Sequence, residues 1–177
     1  MTARITKIGD VDVAIAAYGA GLVDGEATIG IRRACQKRNK SRISYSLRLC
    51  IQMCDTEGIE SLAKQFGGLV LPVKLCHIRH KQQFHWSLWG RRAASFLTVI
   101  QPHIKLKRES VQLALEFQSI QEKRLAKCKV GLSVGDVTIA ESFKINMANL
   151  NATRGFKVPS KSMIQGQLSL PSRTRSL

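Results

Sequence analysis

A helix with one face built from small residues constrains this chain more than any other feature of its sequence. Residues 14–27 read AIAAYGAGLVDGEA, and apolar positions at 3.6-residue spacing predict a helix that is capped by Asp10 and ends near Gly25. Four small residues share one helix face: Ala14, Ala17, Gly21 and Gly25. Each interior glycine costs about 1 kcal/mol relative to alanine, so a packing role is expected. A bare face allows close approach of a second backbone, and we expect a helical partner there.

The same helix ends with two acidic residues, Asp24 and Glu26. A helix C-terminus carries partial negative charge, so carboxylates are disfavoured there and a positive group is expected nearby. If two such helices packed side by side, their Glu26 carboxylates would approach one another, and a hard divalent cation would compensate them. A helix that ends in a solvated acidic turn is the alternative that the pattern leaves open.

Two hairpins are predicted from residues that alternate between apolar and polar. The first pairs 28–38 with 42–52 and directs Ile29, Ile31 and Cys35 inward. The second pairs 69–74 with 83–89. The inward residues of strand 83–89 are Phe84, Trp86 and Leu88. Those of strand 42–52, in the first hairpin, are Ile43, Tyr45, Leu47, Leu49 and Ile51.

Further helices are predicted at 55–66, 91–100, 107–124 and 137–150, the first of them stopped by Gly67 and Gly68. The order α-β-β-α-β-β-α with trailing helices predicts an α+β domain whose helices cover one face of an antiparallel sheet. We expect one domain over 1–156. The tail, 157–177, holds two prolines and scattered serines and is expected to be poorly ordered.

The charge of the chain is strongly positive. Twenty-eight Lys and Arg against twelve Asp and Glu give a net charge of +16, which indicates a protein that binds a polyanion or a basic membrane-surface protein. Between Ser61 and Arg108 there are nine basic residues and no acidic one. Such exclusion of acids avoids repulsion from phosphate.

The residue composition also bears on the compartment of the protein and on whether it binds structural zinc. No apolar stretch is long enough to span a membrane and residues 1–10 lack a signal-peptide core, so a soluble intracellular protein is expected. Five cysteines at irregular spacing predict reduced thiols. Cys76, His77, His80 and His85 lack the paired spacing of a structural zinc site.

The outward face of the two hairpins is matched to duplex DNA. A β-ribbon fits the major groove, where Arg reads guanine and Gln reads adenine. Trp86 is predicted to point inward, and the scarcity of exposed aromatic residues favours duplex DNA over RNA. An ordinary solvated strand face is the alternative. The candidate DNA-binding residues are Thr28, Arg32, Gln36, Arg38, Arg42, Ser44, Ser46, Arg48, Lys74, Arg79 and His85.

Two segments resemble the LAGLIDADG homing endonucleases. Gly19-Ala-Gly-Leu-Val-Asp-Gly-Glu-Ala27 is similar to the signature of that family, with Gly19 and Ala27 departing from its usual Leu and Gly, and a strand follows it. About sixty residues downstream, Trp86-Ser-Leu-Trp-Gly90, then Phe96-Leu97, then Gln101-Pro-His-Ile-Lys-Leu-Lys107 are similar to its strand, helix and post-proline lysine segment. The resemblance covers 11–110 and, more loosely, 143–155.

This resemblance implies the αββαββα fold and site-specific cleavage of double-stranded DNA, with staggered cuts across the minor groove. It implies Mg²⁺, or Mn²⁺, held by Glu26 and the Gly25 carbonyl. Lys107 would help to order water or stabilise charge, and Gln52 would be the polar residue beside the metals. A single motif implies a homodimer through the Ala14/Ala17/Gly21/Gly25 face and a long, nearly palindromic target.

Three other functions remain open from the sequence. An intron maturase that binds RNA, or a DNA-binding regulator, could use the same fold without cutting DNA, although Glu26 beside phosphate favours the enzyme. A basic peripheral membrane protein would need an amphipathic helix with bulky aromatics, and the sequence has none. Whether the compartment is a bacterial, archaeal or phage-host cytoplasm or an organelle matrix is not distinguished by the sequence.

Overall fold

The computed structural model describes residues 11–35, 43–74, 81–127 and 132–154. In this part of the chain an antiparallel sheet of four strands is covered on one face by helices, which confirms the predicted α+β class and the αββαββα order. The elements are α1 (Val13–Glu26), β1 (Ala27–Cys35), β2 (Ile43–Met53), α2 (Glu57–Phe66), β3 (Leu69–Pro72), β4 (Phe84–Trp89), α3 (Gly90–Ile100), a 3₁₀ turn (Gln101–His103), α4 (Arg108–Lys127) and α5 (Val134–Arg154).

The sheet has the strand order β1-β2-β4-β3, so β2 and β4 are central and β3 lies at an edge. Every neighbouring pair is antiparallel, and both predicted hairpins are present. Ala27 pairs with Ile51 and Arg48 with Trp89, which fixes the register of β1, β2 and β4. Residues paired directly across strands point to the same face, so this register assigns each side chain to the core or to the outer face.

The core lies between the inner face of the sheet and the helices. Leu47, Leu49 and Ile51 are fully buried on β2, as predicted. Trp86 of β4 is also fully buried, with its ring edge-on to Phe96 of α3 at 5.2 Å between centroids. Its indole N–H donates to the carbonyl of Gly67 at 2.8 Å, so the ring is satisfied at both its apolar body and its polar edge.

Three local predictions are wrong. The first helix begins at Val13, because the Asp12 carboxylate accepts the N–H of Ala14 at 2.9 Å and caps it; Asp10 lies outside the described residues. Cys35, predicted to point inward, is exposed at the end of β1. The last helix begins three residues earlier than predicted, at Val134, because Ser133 and Asp136 cap each other's backbone N–H groups.

Several predicted positions lie outside the described residues. They are Gln36, Arg38, Arg42, Arg79 and the tail 157–177. Among the residues that are described, no helix is both long and apolar enough to cross a membrane.

Candidate active site and nucleic-acid interface

Two residues join the C-terminal end of α1 to the segment before α4. They are Asp24 of α1 and Lys107 of that segment. The Asp24 carboxylate accepts three consecutive backbone N–H groups, from Lys105 at 2.8 Å, Leu106 at 3.2 Å and Lys107 at 2.9 Å. The Lys107 ammonium reaches back and donates to the carbonyls of Val23 at 2.8 Å and Ala27 at 2.7 Å. The segment before α4 is therefore tied to the end of α1 in both directions.

These contacts supply the positive compensation that the acidic helix end requires. The Lys107 ammonium sits at the C-terminal carbonyls, where the helix dipole favours a cation. Burial alone would raise the pKa of Asp24, but the three N–H donors and the charge of Lys107 together hold that pKa below its ordinary value of 3.8. Asp24 is thus a fixed carboxylate that organises backbone.

Glu26 has a different environment, although it is only two residues away. It is the last residue of α1, it is exposed, and Gly25 beside it is exposed as well. The β1–β2 register ends at the Ala27–Ile51 pair, and Gln52 is exposed on β2 one residue beyond it. Glu26, Gln52 and Lys107 therefore lie at one end of the sheet, around the α1–β1 junction.

The Gln52 amide donates to the side-chain oxygen of Gln83 at 2.7 Å, and Gln52 pairs in register with His85. Gln52 thus belongs to a polar row that crosses from β2 to β4. The sequence placed Gln52 and His85 on the outer face of their strands, and the register confirms that placement.

A cleft beside this junction is lined by Asp24, Gly25, Thr28, Lys107 and Asn151. Asn151 comes from α5, and its amide donates to the carbonyl of Ile29 at 3.0 Å, which ties the last helix to β1. Sequence reasoning missed Asn151 as a site residue because it appeared only as the end of a helix. A polar residue at a helix end was the available signal, but only tertiary packing shows what it faces.

The outer faces of β1 and β2 carry basic and neutral polar residues, and no described strand contains Asp or Glu. Thr28, Arg32 and Ser44 are exposed, and Ser46, Arg48 and His85 are partly exposed. Lys74 is exposed but lies just after β3, which ends at Pro72. The described members of the predicted DNA-binding set therefore share one acid-free surface, except that Lys74 lies beyond its strand.

The small-residue face of α1 is open in the single chain. Ala14, Ala17, Gly21 and Gly25 are all exposed, and a Cβ added at Gly21 or Gly25 would meet nothing within 4 Å. Gly19 is different, because a Cβ there would lie 3.3 Å from the Phe96 ring. This packing explains why Gly19 stands where the resembled signature usually has leucine.

No described group of three His, Cys, Asp or Glu side chains is arranged to hold a metal ion. The donors at the α1–β1 junction are oxygen atoms, the type that Mg²⁺ prefers. A single chain places one exposed carboxylate there, Glu26, since Asp24 is engaged with backbone. A Mg²⁺ ion at this position would complete its oxygen coordination with backbone carbonyls, water, a ligand or a second chain.

Comparison with solved structures returns homing endonucleases. I-CvuI, in complex with DNA, matches with a TM-score of 0.60 at 20% identity over 80% of this chain and 83% of that one. I-TnaI matches with a TM-score of 0.59 at 15% identity over 78% and 94%. The archaeal intron-encoded I-Vdi141I, complexed with DNA, matches with a TM-score of 0.60 at 10% identity over 85% and 92%. No family model matches the sequence, and no curated protein is significantly similar to it.

Proposed function

We propose that this chain, which has the fold of the LAGLIDADG homing endonucleases, is a site-specific double-stranded DNA endonuclease that acts as a homodimer with a divalent metal. The observation that carries the proposal is the exposed Glu26 at the α1–β1 junction, close to Lys107 and at the end of an acid-free sheet face. Hydrolysis of a phosphodiester needs a metal, an activated water and positive charge near the leaving group. The Glu26 carboxylate is a suitable metal ligand, and the Lys107 ammonium supplies positive charge.

Binding of duplex DNA is supported by the charge and shape of the sheet. An antiparallel sheet with Arg32, Arg48 and neutral polar residues on its outer face fits the major groove, and the absence of strand carboxylates removes repulsion from phosphate. Five of the structurally similar proteins are described as complexes with DNA or a DNA target.

The metal would be held by Glu26 and the Gly25 carbonyl, with the equivalent pair from a second chain. When bound, Mg²⁺ would polarise the phosphate and lower the pKa of a coordinated water. Lys107 would place positive charge beside the scissile phosphate, and Gln52 would orient water at the neighbouring strand end. Structures of I-CvuI with DNA targets were obtained in 2 mM Mg, with the DNA not cleaved, and in 2 mM Ca, and the presence of a divalent ion with that protein supports the proposed metal.

The dimer would form through the open face of α1. Two copies related by a two-fold axis would bring Ala17, Gly21 and Gly25 into self-contact, and each chain would contribute one Glu26 and one half-site. The target would then be long and nearly palindromic. Gly21→Leu or Gly25→Leu should give monomers by sedimentation, whereas Ala126→Leu, at an exposed site on α4, should leave the dimer intact. A dimer that survives both glycine changes would place the interface elsewhere.

Cleavage is tested with purified protein, Mg²⁺ and a plasmid that carries the uninterrupted locus of the gene. The wild type should linearise the plasmid, EDTA should prevent this, and Glu26→Gln should abolish it. Glu60→Gln changes an exposed glutamate on α2 and is the matched control. Cutting by Glu26→Gln at the wild-type rate would refute the metal assignment.

A maturase that binds RNA is the second candidate, and one observation favours it. Trp89 on the outer face is 47% exposed, as expected of a base-stacking platform. However, the Arg48 guanidinium lies 5.2 Å from the centroid of that ring and occupies one of its faces. Tight binding of the intron RNA together with no nicking of the DNA locus would favour the maturase.

A further inference from the structure

The outer face of the edge strand β3 is apolar, in contrast to the rest of the sheet. Leu69 is 70% exposed and Leu71 is 45% exposed. They pair with Ser87 and His85 of β4, which places both on the outer face, while Val70 between them pairs with the buried Trp86. Single exposed leucines are ordinary, but two on the same side of one strand form a small apolar patch.

The patch is embedded in a basic groove. Leu69 and Leu71 line it together with Arg48, His85, Trp89 and Arg92. Arg48 Nε and Ser87 Oγ are buried in this region without a hydrogen-bond partner among the described residues. Both atoms lie beneath the surface, so an occupant of the groove would meet the Arg, His, Trp and Leu side chains that line it. The occupant of the groove should therefore combine negative charge, hydrogen-bonding groups and small apolar groups.

The major groove of DNA presents this combination, because thymine carries a C5-methyl group beside the base-edge acceptors and the phosphates. We infer that Leu69 and Leu71 contact the methyl groups of two thymines in each half-site and so contribute to target specificity. This inference rests on the proposed function. The inference gives the edge strand β3 a preference for pyrimidines that carry a 5-methyl group. The DNA-binding residues expected from the sequence include no apolar side chain that could provide such a preference.

The spacing of the leucines sets a further condition. Alternate residues of a strand lie about 6.8 Å apart, and successive base pairs rise about 3.4 Å. The groove winds around the helix axis, so the path along it per base pair is longer than this rise, and a strand that follows the groove would place Leu69 and Leu71 about one to two base pairs apart. The two methyl-sensitive positions should show that separation.

The test begins with selection of bound duplexes from a randomised library, with Ca²⁺ as the divalent ion. Each thymine of the selected half-site is then replaced by deoxyuridine, which removes only the methyl group. Two positions about one to two base pairs apart should lose affinity by about fourfold each, as expected for one buried methyl group. Leu69→Ala should abolish the methyl dependence at one position and Leu71→Ala at the other. Leu125→Ala, at an exposed leucine of α4, should change neither.

The outcomes separate this inference from the proposed function. If no specific duplex is selected, the proposed function and the inference both fail. If a specific duplex is bound but uridine equals thymine at every position, or if the methyl dependence persists in both leucine variants, only the inference is overturned. The leucine variants could also form a smaller species than the wild type while the methyl dependence stays unaltered. That result would show that a second copy of the chain covers the patch, and it would overturn the inference.

Discussion

Replacement of Asp24 by asparagine tests whether this acid organises backbone. The two side chains have the same shape, but asparagine offers one acceptor oxygen and an NH₂ group. One Asp24 oxygen accepts Lys107 N–H and the other accepts the N–H groups of Lys105 and Leu106, so at least one donor would face the NH₂ group. A hydrogen bond to a charged group contributes about 1.5–3 kcal/mol, and we expect Asp24→Asn to lower the free energy of unfolding by about 2 kcal/mol.

The assay is urea denaturation in EDTA, so that no metal contributes to the measured stability. Asp12→Asn is the matched control, because Asp12 makes one backbone contact at the start of α1 and asparagine caps helices as well as aspartate does. That control should change stability by less than about 0.5 kcal/mol. An unchanged unfolding free energy for Asp24→Asn would refute the structural role.

The pH dependence gives an independent check with a definite sign. The pKa of Asp24 is lowered in the folded chain, so its stabilisation is fully present above the unfolded value of 3.8 and is lost as the pH falls through the lower folded value. Asparagine does not titrate. The stability difference between wild type and Asp24→Asn should therefore be constant near neutrality and shrink below about pH 4. A difference that grows on acidification would contradict the assignment.

Four further changes probe contacts of α1, of the α1–β1 junction and of β2 with α5. Lys107→Met keeps the aliphatic stem but removes two charge-assisted hydrogen bonds, to the carbonyls of Val23 and Ala27. It should lower the free energy of unfolding by about 2 kcal/mol in urea melts with EDTA. An unchanged value would contradict a stabilising role for these two bonds. Gly19→Leu should lower the free energy of unfolding by about 1–3 kcal/mol, because a phenylalanine ring of α3 fills the space beside it. Gly21→Ala should instead raise it by up to about 1 kcal/mol in a monomeric background, because the space there is open. Equal changes in the free energy of unfolding would be inconsistent with this packing. Tyr45→Phe removes the hydrogen bond that chiefly lowers the pKa of Glu141, so that pKa should rise when measured by NMR titration, and no rise would argue against the contact.

The fold was predictable because its signals are periodic. Alternation over β2 and the small-residue spacing on α1 depend only on which side chains point the same way, and both survive in the structure. Helix ends were less predictable, since capping by Asp12 or Ser133 depends on one hydrogen bond rather than on a pattern. The inward prediction for Cys35 was wrong because Cys35 is the last residue of β1 and is exposed there.

The site was predictable only in part. Glu26, Gln52 and Lys107 follow from a resemblance, and the structure places them at one end of the sheet, while their catalytic roles remain proposals. Asn151 and the leucines of β3 were missed. Asn151 reaches the site from the other end of the chain, and an outward leucine has no polar signal that would distinguish it from a core residue.

The two acids of the signature show why tertiary contacts decide function where sequence spacing does not. Residues two apart on a helix point about 200° away from each other, so Asp24 and Glu26 must face different surroundings. Asp24 meets three N–H groups of the segment before α4, and Glu26 is exposed at the end of the sheet. A carboxylate saturated by backbone donors makes a poor metal ligand, because a cation would have to displace those hydrogen bonds. Asp24 therefore holds the frame of the site, and the proposed metal role falls to Glu26. Asp24→Asn should then impair stability before metal affinity, and Glu26→Gln should do the reverse.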